Sequence, residues 1–296
     1  MKRFLKKHLA TALLFIFALI AALLFIMPTV LTISNSFMTE KEIMANYGAM
    51  IENASSDKRS YISEDLNLKF IPDKVSLQQY TTVLFKSPDY LLKFWNSVIL
   101  VVPITVFQVL LAAVTAYGFT RYRGRVREII FFAYIILMLM PYQVTLVPNY
   151  LVSDWLGILG TRWAIILPGI FSPFSVYLLT KMMRRIPKAY FEAARLDGAS
   201  EIQVFFQICL PLCRSAMLSV GLLVFIDYWN MVEQPLILLD DEAKYPLSVF
   251  LSQINTGDVG LAFAVAVVYM IPALLLFLYG EEYLVEGITY SGGVKG

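Results

Sequence analysis

The chain is poor in the residue types from which hydrolytic, redox and metal centres are most often built. Its 296 residues include one histidine, His8, and two cysteines. A histidine-based triad and a Cys/His metal cluster are therefore nearly excluded. Cys209 and Cys213 lie four residues apart on one helical face, and we interpret them as small apolar side chains rather than a redox pair. We expect no catalytic residue, no metal ligand and no cofactor bound by this chain.

Charged residues are also scarce. They make up 16% of the chain, against about 25% in an average soluble domain. Hydrophobic residues reach 58%, and the net charge of +2 implies no bulk attraction to nucleic acid. The pattern G-x-x-x-x-G-K-[ST], which cradles ATP phosphates, does not occur. The composition indicates a chain in contact with membrane lipid that does not itself bind ATP.

Six apolar segments are long enough to cross a bilayer, which takes about 20 helical residues. The first, residues 9–33, carries no charge and follows Lys2, Arg3, Lys6 and Lys7. A cleavable signal peptide is the competing interpretation, but its apolar run is usually only about 7–15 residues, so we favour a retained anchor. The other predicted spans are residues 94–118, 129–152, 163–180, 215–236 and 259–280.

The apolar segments predict an all-α membrane protein, and the prolines and basic residues add kinks and an orientation to this prediction. Prolines within spans remove backbone hydrogen bonds and predict kinks; they are Pro103, Pro141, Pro168, Pro173 and Pro272. With the N-terminus inside, most lysines and arginines fall on cytoplasmic segments, and the short outer loops carry only Arg162 and Lys244. Both termini are therefore predicted to be cytoplasmic.

The chain is predicted to have four parts: residues 1–33 with the first span, an extracytoplasmic segment 34–93, a core 94–280 and a cytoplasmic tail 281–296. Within 34–93 we expect a surface loop at 53–70 and a short helix at 76–85.

One segment between two predicted spans is unusually polar: EAARLDGASEIQVFFQICLP, residues 192–211. Residues 188–197 are good helix formers, and Gly198 accepts the backbone angles of a helix end. Ser200 and Gln203 have the spacing of a capping box for a second helix, which Pro211 closes. The sequence predicts helix, sharp turn and helix on the cytoplasmic face. The predicted apolar side of the first helix holds Tyr190, Phe191, Ala194 and Leu196, and that of the second holds Ile202, Phe205, Phe206 and Ile208.

This segment resembles the EAA loop of ABC importer permeases, and residues 187–212 are called the EAA loop below. The matching positions are Glu192, Ala193, Ala194, Gly198, Ile208, Leu210 and Pro211. The stretch DYWNMVEQPLILL is similar to sugar-importer permeases at Trp229, Asn230, Pro235 and Leu236, and the ending GITYSGGVKG is similar to a maltose-type permease tail. The chain thus resembles the type I, maltose-type, binding-protein-dependent carbohydrate permeases over most of residues 94–296.

The resemblance implies a six-helix type I importer permease in a bacterial cytoplasmic membrane. Its implied partners are membrane lipid, a second homologous permease, two ATPase subunits that bind ATP and Mg, and an extracytoplasmic solute-binding protein. The implied cargo is a sugar or oligosaccharide, with a non-sugar solute as the alternative. Glu192 is expected to pair with a basic residue of the ATPase. The resemblance assigns ATPase coupling to Glu192, Ala193, Ala194, Asp197, Gly198, Ile208, Leu210 and Pro211, and tail contacts with the ATPase to Gly292, Gly293 and Lys295.

A cargo path is the second candidate site. Asp227 lies about 18 Å along the fifth predicted span, near mid-membrane, where a carboxylate is costly unless it faces a cavity or a partner. One hypothesis places Asp227, Tyr228, Trp229 and Asn230 along a translocation cavity, and the other gives Asp227 a structural hydrogen bond to a neighbouring helix. A secondary transporter would need more intramembrane ionisable groups or an inverted repeat. An intramembrane enzyme would need a catalytic constellation, and the sequence shows none.

Overall fold

The computed structural model of the chain describes residues 2–55, 68–122, 124–253 and 259–289. Within these ranges the regular elements are helices and no strand occurs. The chain forms two compact units: Met1–Leu91 with Gln253–Met270, and Leu92–Ser252 with Ile271–Gly296. The all-α prediction is confirmed.

The first unit contains α1 (Lys2–Ser36), α2 (Glu40–Ser55) and α3 (Gln78–Thr81). A wider helical turn, Thr82–Lys86, continues α3, so the short helix predicted at 76–85 is present. Buried Gln79 donates a hydrogen bond from Nε2 to the carbonyl oxygen of Met38 at 2.7 Å, which ties α3 to the end of α1. Helix α2 was not predicted, and most of the predicted surface loop 53–70 lies outside the described residues.

The second unit holds most of the remaining helices. The two longest are α4 (Pro88–Arg121) and α15 (Val259–Thr289), and each begins in the first unit. Between them follow α5 (Arg125–Met138), α6 (Tyr142–Trp155), α7 (Trp163–Gly169), α8 (Pro173–Met183), α9 (Lys188–Leu196), α10 (Glu201–Val204), α11 (Leu210–Leu212), α12 (Arg214–Trp229), α13 (Glu233–Leu238) and α14 (Leu247–Ser252). A wider turn, Phe205–Cys209, joins α10 to α11.

Length and apolar composition qualify four stretches of the described residues as membrane spans: Thr11–Ser36, Pro88–Arg121, Trp163–Met183 and Gly260–Leu284. Two bent helix pairs qualify as well, which makes six if each pair is one span. The third predicted span is sharply bent, because α5 and α6 meet at 104° where the sequence predicted a kink at Pro141. Pro141 lies at this break, where it lacks an N–H donor and disfavours a helical conformation in the residue before it.

The predicted ends of the last two spans also differ from the structure. Helix α12 ends at Trp229 and a separate helix α13 follows, whereas the sequence predicted one span to residue 236. Helix α15 continues to Thr289, so the helix extends beyond the predicted end of the span at residue 280 into the predicted tail. Pro103 and Pro272 lie inside α4 and α15, which remain continuous.

The loops 156–162 and 239–246 are tied to the start of α4. Buried Asn96 donates from Nδ2 to the carbonyl oxygen of Ala243 at 2.7 Å and accepts from Nη2 of Arg162 at 2.7 Å. The backbone N–H of Gly160 donates to the carbonyl oxygen of Leu238 at 3.0 Å. Buried polar groups rarely stay unpaired, so these bonds hold the ends of α4, α7 and α13 together.

Candidate functional site

The EAA loop turns sharply at Gly198. Helix α9 ends at Leu196, and Gly198 has φ +80°, a left-handed conformation that glycine adopts without a side-chain penalty. The Gly198 N–H donates to the carbonyl oxygen of Arg195 at 3.0 Å, and the Ala199 N–H donates to that of Ala194 at 2.9 Å. These two bonds form a Schellman motif, which satisfies carbonyls left free at a helix end. The predicted glycine turn is confirmed.

The second half of the loop begins with the predicted capping box. Ser200 Oγ accepts from the Gln203 N–H at 3.3 Å, and Gln203 Oε1 accepts from the Ser200 N–H at 2.8 Å. These reciprocal bonds satisfy backbone donors at the start of α10. Pro211 lies in α11, and the chain then turns by 73° into α12. Cys209 and Cys213 are both buried and form no disulfide, as expected of small apolar side chains.

The apolar sides of the two loop helices are only partly as predicted. Phe191, Ala194 and Phe205 are buried, whereas Tyr190 is exposed. The Phe205 ring lies 5.0 Å from that of Tyr117, and the Arg121 guanidinium lies 5.1 Å from the Phe191 ring centre. Each half of the loop therefore packs a narrow apolar stripe against α4. Four large aliphatic or phenylalanine side chains of the loop stay open to solvent: Leu196 at 88% exposure, Ile202 at 71%, Phe206 at 61% and Leu212 at 52%.

Most of the residues assigned to ATPase coupling are accessible. Ala194 is buried, Ile208 and Leu210 are half-buried, and the exposed ones are Glu192, Ala193, Asp197, Gly198 and Pro211. Glu192 borders a cavity of about 290 Å³ whose lining also includes Arg184, Lys188 and Arg195. The loop thus presents a carboxylate, several cations and uncovered apolar side chains. Gly292, Gly293 and Lys295, assigned to tail contacts, lie outside the described residues.

The sequence did not indicate the group of side chains that bind the Glu201 carboxylate. This carboxylate accepts from the Tyr117 hydroxyl at 2.6 Å, from Arg121 Nε at 3.2 Å and Nη2 at 2.9 Å, and from Arg195 Nη2 at 2.6 Å. Hydrogen bonds from Arg121, Tyr117 and Arg195 hold the pKa of the Glu201 carboxyl well below its usual range, so it is ionised at neutral pH. Tyr117 and Arg121 are more than 70 residues away in sequence, so no local pattern indicates them.

Three of the four predicted cargo-path residues border one cavity. Asp227, Tyr228 and Asn230 line a space of about 560 Å³, together with Tyr142 and Gln234, which the sequence did not indicate. Asp227 lies two residues before the end of α12 and is exposed, not at the middle of a longer span as predicted. The cavity combines carboxylate, amide and phenol groups.

Trp229 is separated from the other three. Its side chain is 1% exposed. The ring stacks on Phe225 at 5.1 Å and meets the edge of Phe94 at 5.8 Å. An indole enclosed in this way stabilises the contact between α4 and α12 and does not line the cavity. The reason is helical geometry, because residues 227, 228 and 229 point in three directions about 100° apart around the helix axis.

Comparison with known sequences identifies the class of protein that this fold and these sites define. Residues 108–289 match the family described as binding-protein-dependent transport system inner membrane component. The chain belongs to this family. The match includes the EAA loop and the residues that line the cavity at the end of α12. The chain is therefore a multi-pass permease component of a transport system.

Individual relatives and a solved structure agree with this family. The chain is 29% identical over 310 residues to the polygalacturonan/rhamnogalacturonan transport system permease protein YtcP of Bacillus subtilis, covering 98% of this chain and 100% of YtcP. It is 33% identical over 203 residues to the diacetylchitobiose uptake system permease protein NgcG of Streptomyces coelicolor, covering 66% and 67%. A chain of a bacterial ABC transporter involved in import of the acidic polysaccharide alginate matches with a TM-score of 0.77 at 21% identity, covering 94% of this chain and 97% of that chain. The fold is that of a type I ABC importer permease.

Proposed function

We propose that this chain is one of two homologous permease subunits of an ATP-driven importer and that it moves a saccharide into the cytoplasm. The observation that carries the proposal is the exposed, sharply bent EAA loop within a membrane permease of the binding-protein-dependent family. The saccharide assignment is supported by relatives whose names refer to polygalacturonan, rhamnogalacturonan and diacetylchitobiose.

The EAA loop is proposed to link two separate ATPase subunits to the permease. These subunits bind ATP and Mg, and their closure pushes the loop, which turns the permease from an inward-facing to an outward-facing form. Exposed Glu192 supplies the carboxylate for a basic residue of the ATPase. This scheme places the loop and both chain termini in the cytoplasm, and a solute-binding protein delivers the cargo on the other side.

The cavity at the end of α12 is proposed as part of the cargo path. Asp227 and Asn230 supply a carboxylate and an amide, which can bond sugar hydroxyls. Tyr142 and Tyr228 add phenol rings in the place that the sequence assigned to Trp229. A cavity of about 560 Å³ falls within the usual size of small-molecule sites.

Reconstitution of the complete transporter in liposomes tests the proposed import function. The permease is placed in liposomes with a second homologous permease, an ATPase and a solute-binding protein from the same organism, and uptake of radiolabelled oligosaccharides is measured. Uptake is expected only when ATP and the binding protein are both present, because the ATPase provides the energy and the binding protein the cargo. Uptake driven by a proton or sodium gradient without ATP would establish a secondary transporter instead. ATP-driven uptake of only non-sugar solutes would reject the cargo class.

If Asp227 binds cargo in this cavity, the substitution Asp227→Asn should weaken uptake at low cargo concentration. A hydrogen bond to a charged group contributes about 1.5–3 kcal/mol, so its loss is expected to raise the half-saturating cargo concentration about tenfold or more. The measurement is initial uptake against the concentration of loaded binding protein. Glu242→Gln is the matched control, because Glu242 is an exposed carboxylate outside the cavity lining. Unchanged uptake by Asp227→Asn at limiting cargo would leave Asp227 with a structural role only.

A further inference from the structure

We infer that Glu201 makes the EAA loop and the end of α4 move as one body, so that force from the ATPase reaches the membrane helices through α4. The group of Glu201, Tyr117, Arg121 and Arg195 is called the Glu201 cluster. The inference rests on the proposed function and adds a positioning residue to it, since Glu201 acts through the loop and does not contact cargo or nucleotide.

The Glu201 cluster connects three elements through one carboxylate. Glu201 is the first residue of α10, Arg195 lies near the end of α9, and Tyr117 and Arg121 belong to the last two turns of α4. Arg121 binds both carboxylate oxygens, at 3.2 and 2.9 Å. Such a two-point pair fixes direction as well as distance, which a single ion pair does not.

The cluster also spans the turn at Gly198. Arg195 precedes this glycine and Glu201 follows it, and their side chains meet at 2.6 Å. A turn with a single glycine at its centre would otherwise let α9 and α10 change their mutual angle. Because Glu201 binds both Arg195 and Arg121, the two halves of the loop are held to each other and to α4 together.

Ring contacts beside the Glu201 cluster hold the EAA loop against α4 but do little to fix its orientation. Arg121 lies over the Phe191 ring, and Tyr117 contacts Phe205, so each half of the loop has an apolar anchor on α4. Apolar contacts scale with buried area and tolerate sliding, whereas hydrogen bonds weaken steeply with misalignment. The carboxylate therefore sets the register in which the rings pack.

The contribution of the Arg121–Glu201 ion pair to holding the loop on α4 depends on its solvent exposure. Isolated surface pairs contribute little, but two-point geometry and a network of charges are the exceptions. The Arg121 side chain is only 15% exposed, and Glu201, at 49%, has three partners. The pair of Arg127 and Glu128 is different, because Glu128 accepts at 3.1 Å from its neighbour in α5, and Arg127 reaches the end of α4 through the backbone carbonyl oxygens of Phe119 and Tyr122 rather than through this carboxylate. Glu128 is therefore the matched control for Glu201.

The test compares Glu201→Gln with Glu128→Gln in the complete reconstituted transporter. The amide keeps the shape of the side chain but loses the charge that Arg121 and Arg195 share. The ATP consumed per cargo molecule is expected to rise at least about fivefold in Glu201→Gln, the lower end of typical coupling effects, and to stay at the wild-type value in Glu128→Gln. Glu201→Asp, which keeps the charge on a shorter side chain, is expected to give an intermediate value. An unchanged ratio in Glu201→Gln, or a loss of complex and thermal stability without a change in ratio, would overturn the inference.

A distance measurement provides the second readout. Spin labels replace exposed Tyr122, just after α4, and exposed Gln207, in the loop, in a chain whose buried Cys209 and Cys213 are changed to alanine. The wild-type loop should give one narrow distance that is the same without nucleotide and with ATP, and Glu201→Gln should broaden it. A distance that changes with ATP in the wild-type loop, or an unaltered distribution in Glu201→Gln, would contradict movement as one body. Failure of the proposed function is distinguishable, because the transporter with native Glu201 would then already lack ATP-driven uptake.

Discussion

Changing Gly198 to valine is expected to reduce ATP-driven uptake at least about tenfold, the factor that corresponds to roughly 1.4 kcal/mol. Gly198 has φ +80°, and a left-handed backbone costs ordinary residues about 1–2 kcal/mol, with β-branched residues the least tolerant. No atom lies within 4 Å of the position that a Cβ would occupy. The cost is therefore one of backbone conformation alone, and it falls on the turn that orients the two halves of the EAA loop.

Two further variants separate this backbone effect from any effect of added bulk. Asparagine tolerates the left-handed region, so Gly198→Asn should retain more uptake than Gly198→Ala, although its side chain is larger. Gly118 lies inside α4 with nothing within 4 Å of its Cβ position, so Gly118→Ala should be neutral or slightly stabilising. Uptake and binding of the purified ATPase are measured for each. Full activity of Gly198→Val would show that the sharp turn is dispensable.

The paired change of Leu196 and Phe206 to serine is expected to weaken binding of the ATPase by about a hundredfold or more. These side chains are 88% and 61% exposed and lie on the EAA loop. Covering one such side chain contributes about 1.5–3 kcal/mol, and about 2.8 kcal/mol corresponds to a hundredfold in affinity. The measurement is the Kd between the purified permease pair and the ATPase in detergent.

Stability of the permease provides the control for this variant. Exposed substitutions usually change the free energy of unfolding by less than about 0.5 kcal/mol, so the thermal midpoint of the free permease should not change. Gln207→Ala removes an exposed polar side chain from the same loop and should leave the Kd within about twofold, the change expected of a contact outside the binding hot spot. An unchanged Kd in Leu196→Ser/Phe206→Ser would place the ATPase on another surface.

The local conformation of the EAA loop could be predicted because the residues that stabilise it are close in sequence. At the turn, Gly198 bonds to Arg195 and Ala199 bonds to Ala194, and Ser200 pairs with Gln203. The side chains that the loop buries were harder to predict. Both loop helices are short, so a few apolar residues are compatible with several faces, and only the position of α4 shows that Phe191 and Phe205 turn inward while Leu196 and Phe206 do not.

The residues of the cargo cavity could likewise be predicted only in part from the sequence. The stretch that contains Asp227 and Asn230 was found from its sequence, and both residues line the cavity. Tyr142 reaches the same cavity only because the chain bends between α5 and α6, which the sequence indicated as a kink at Pro141 without its angle of 104°. Trp229 was misplaced because α12 directs it toward Phe94 and Phe225.

The sequence by itself determined the membrane-spanning character, the helical class and the bent loop of this permease, since apolar runs, capping residues and a glycine act on the backbone near them. Only the tertiary structure decided that Glu201 binds Arg121, 80 residues away, and that Trp229 is enclosed. Pairings of this kind depend on which helix surfaces meet. Many apolar surfaces can pack in more than one way, so composition and spacing do not select among them.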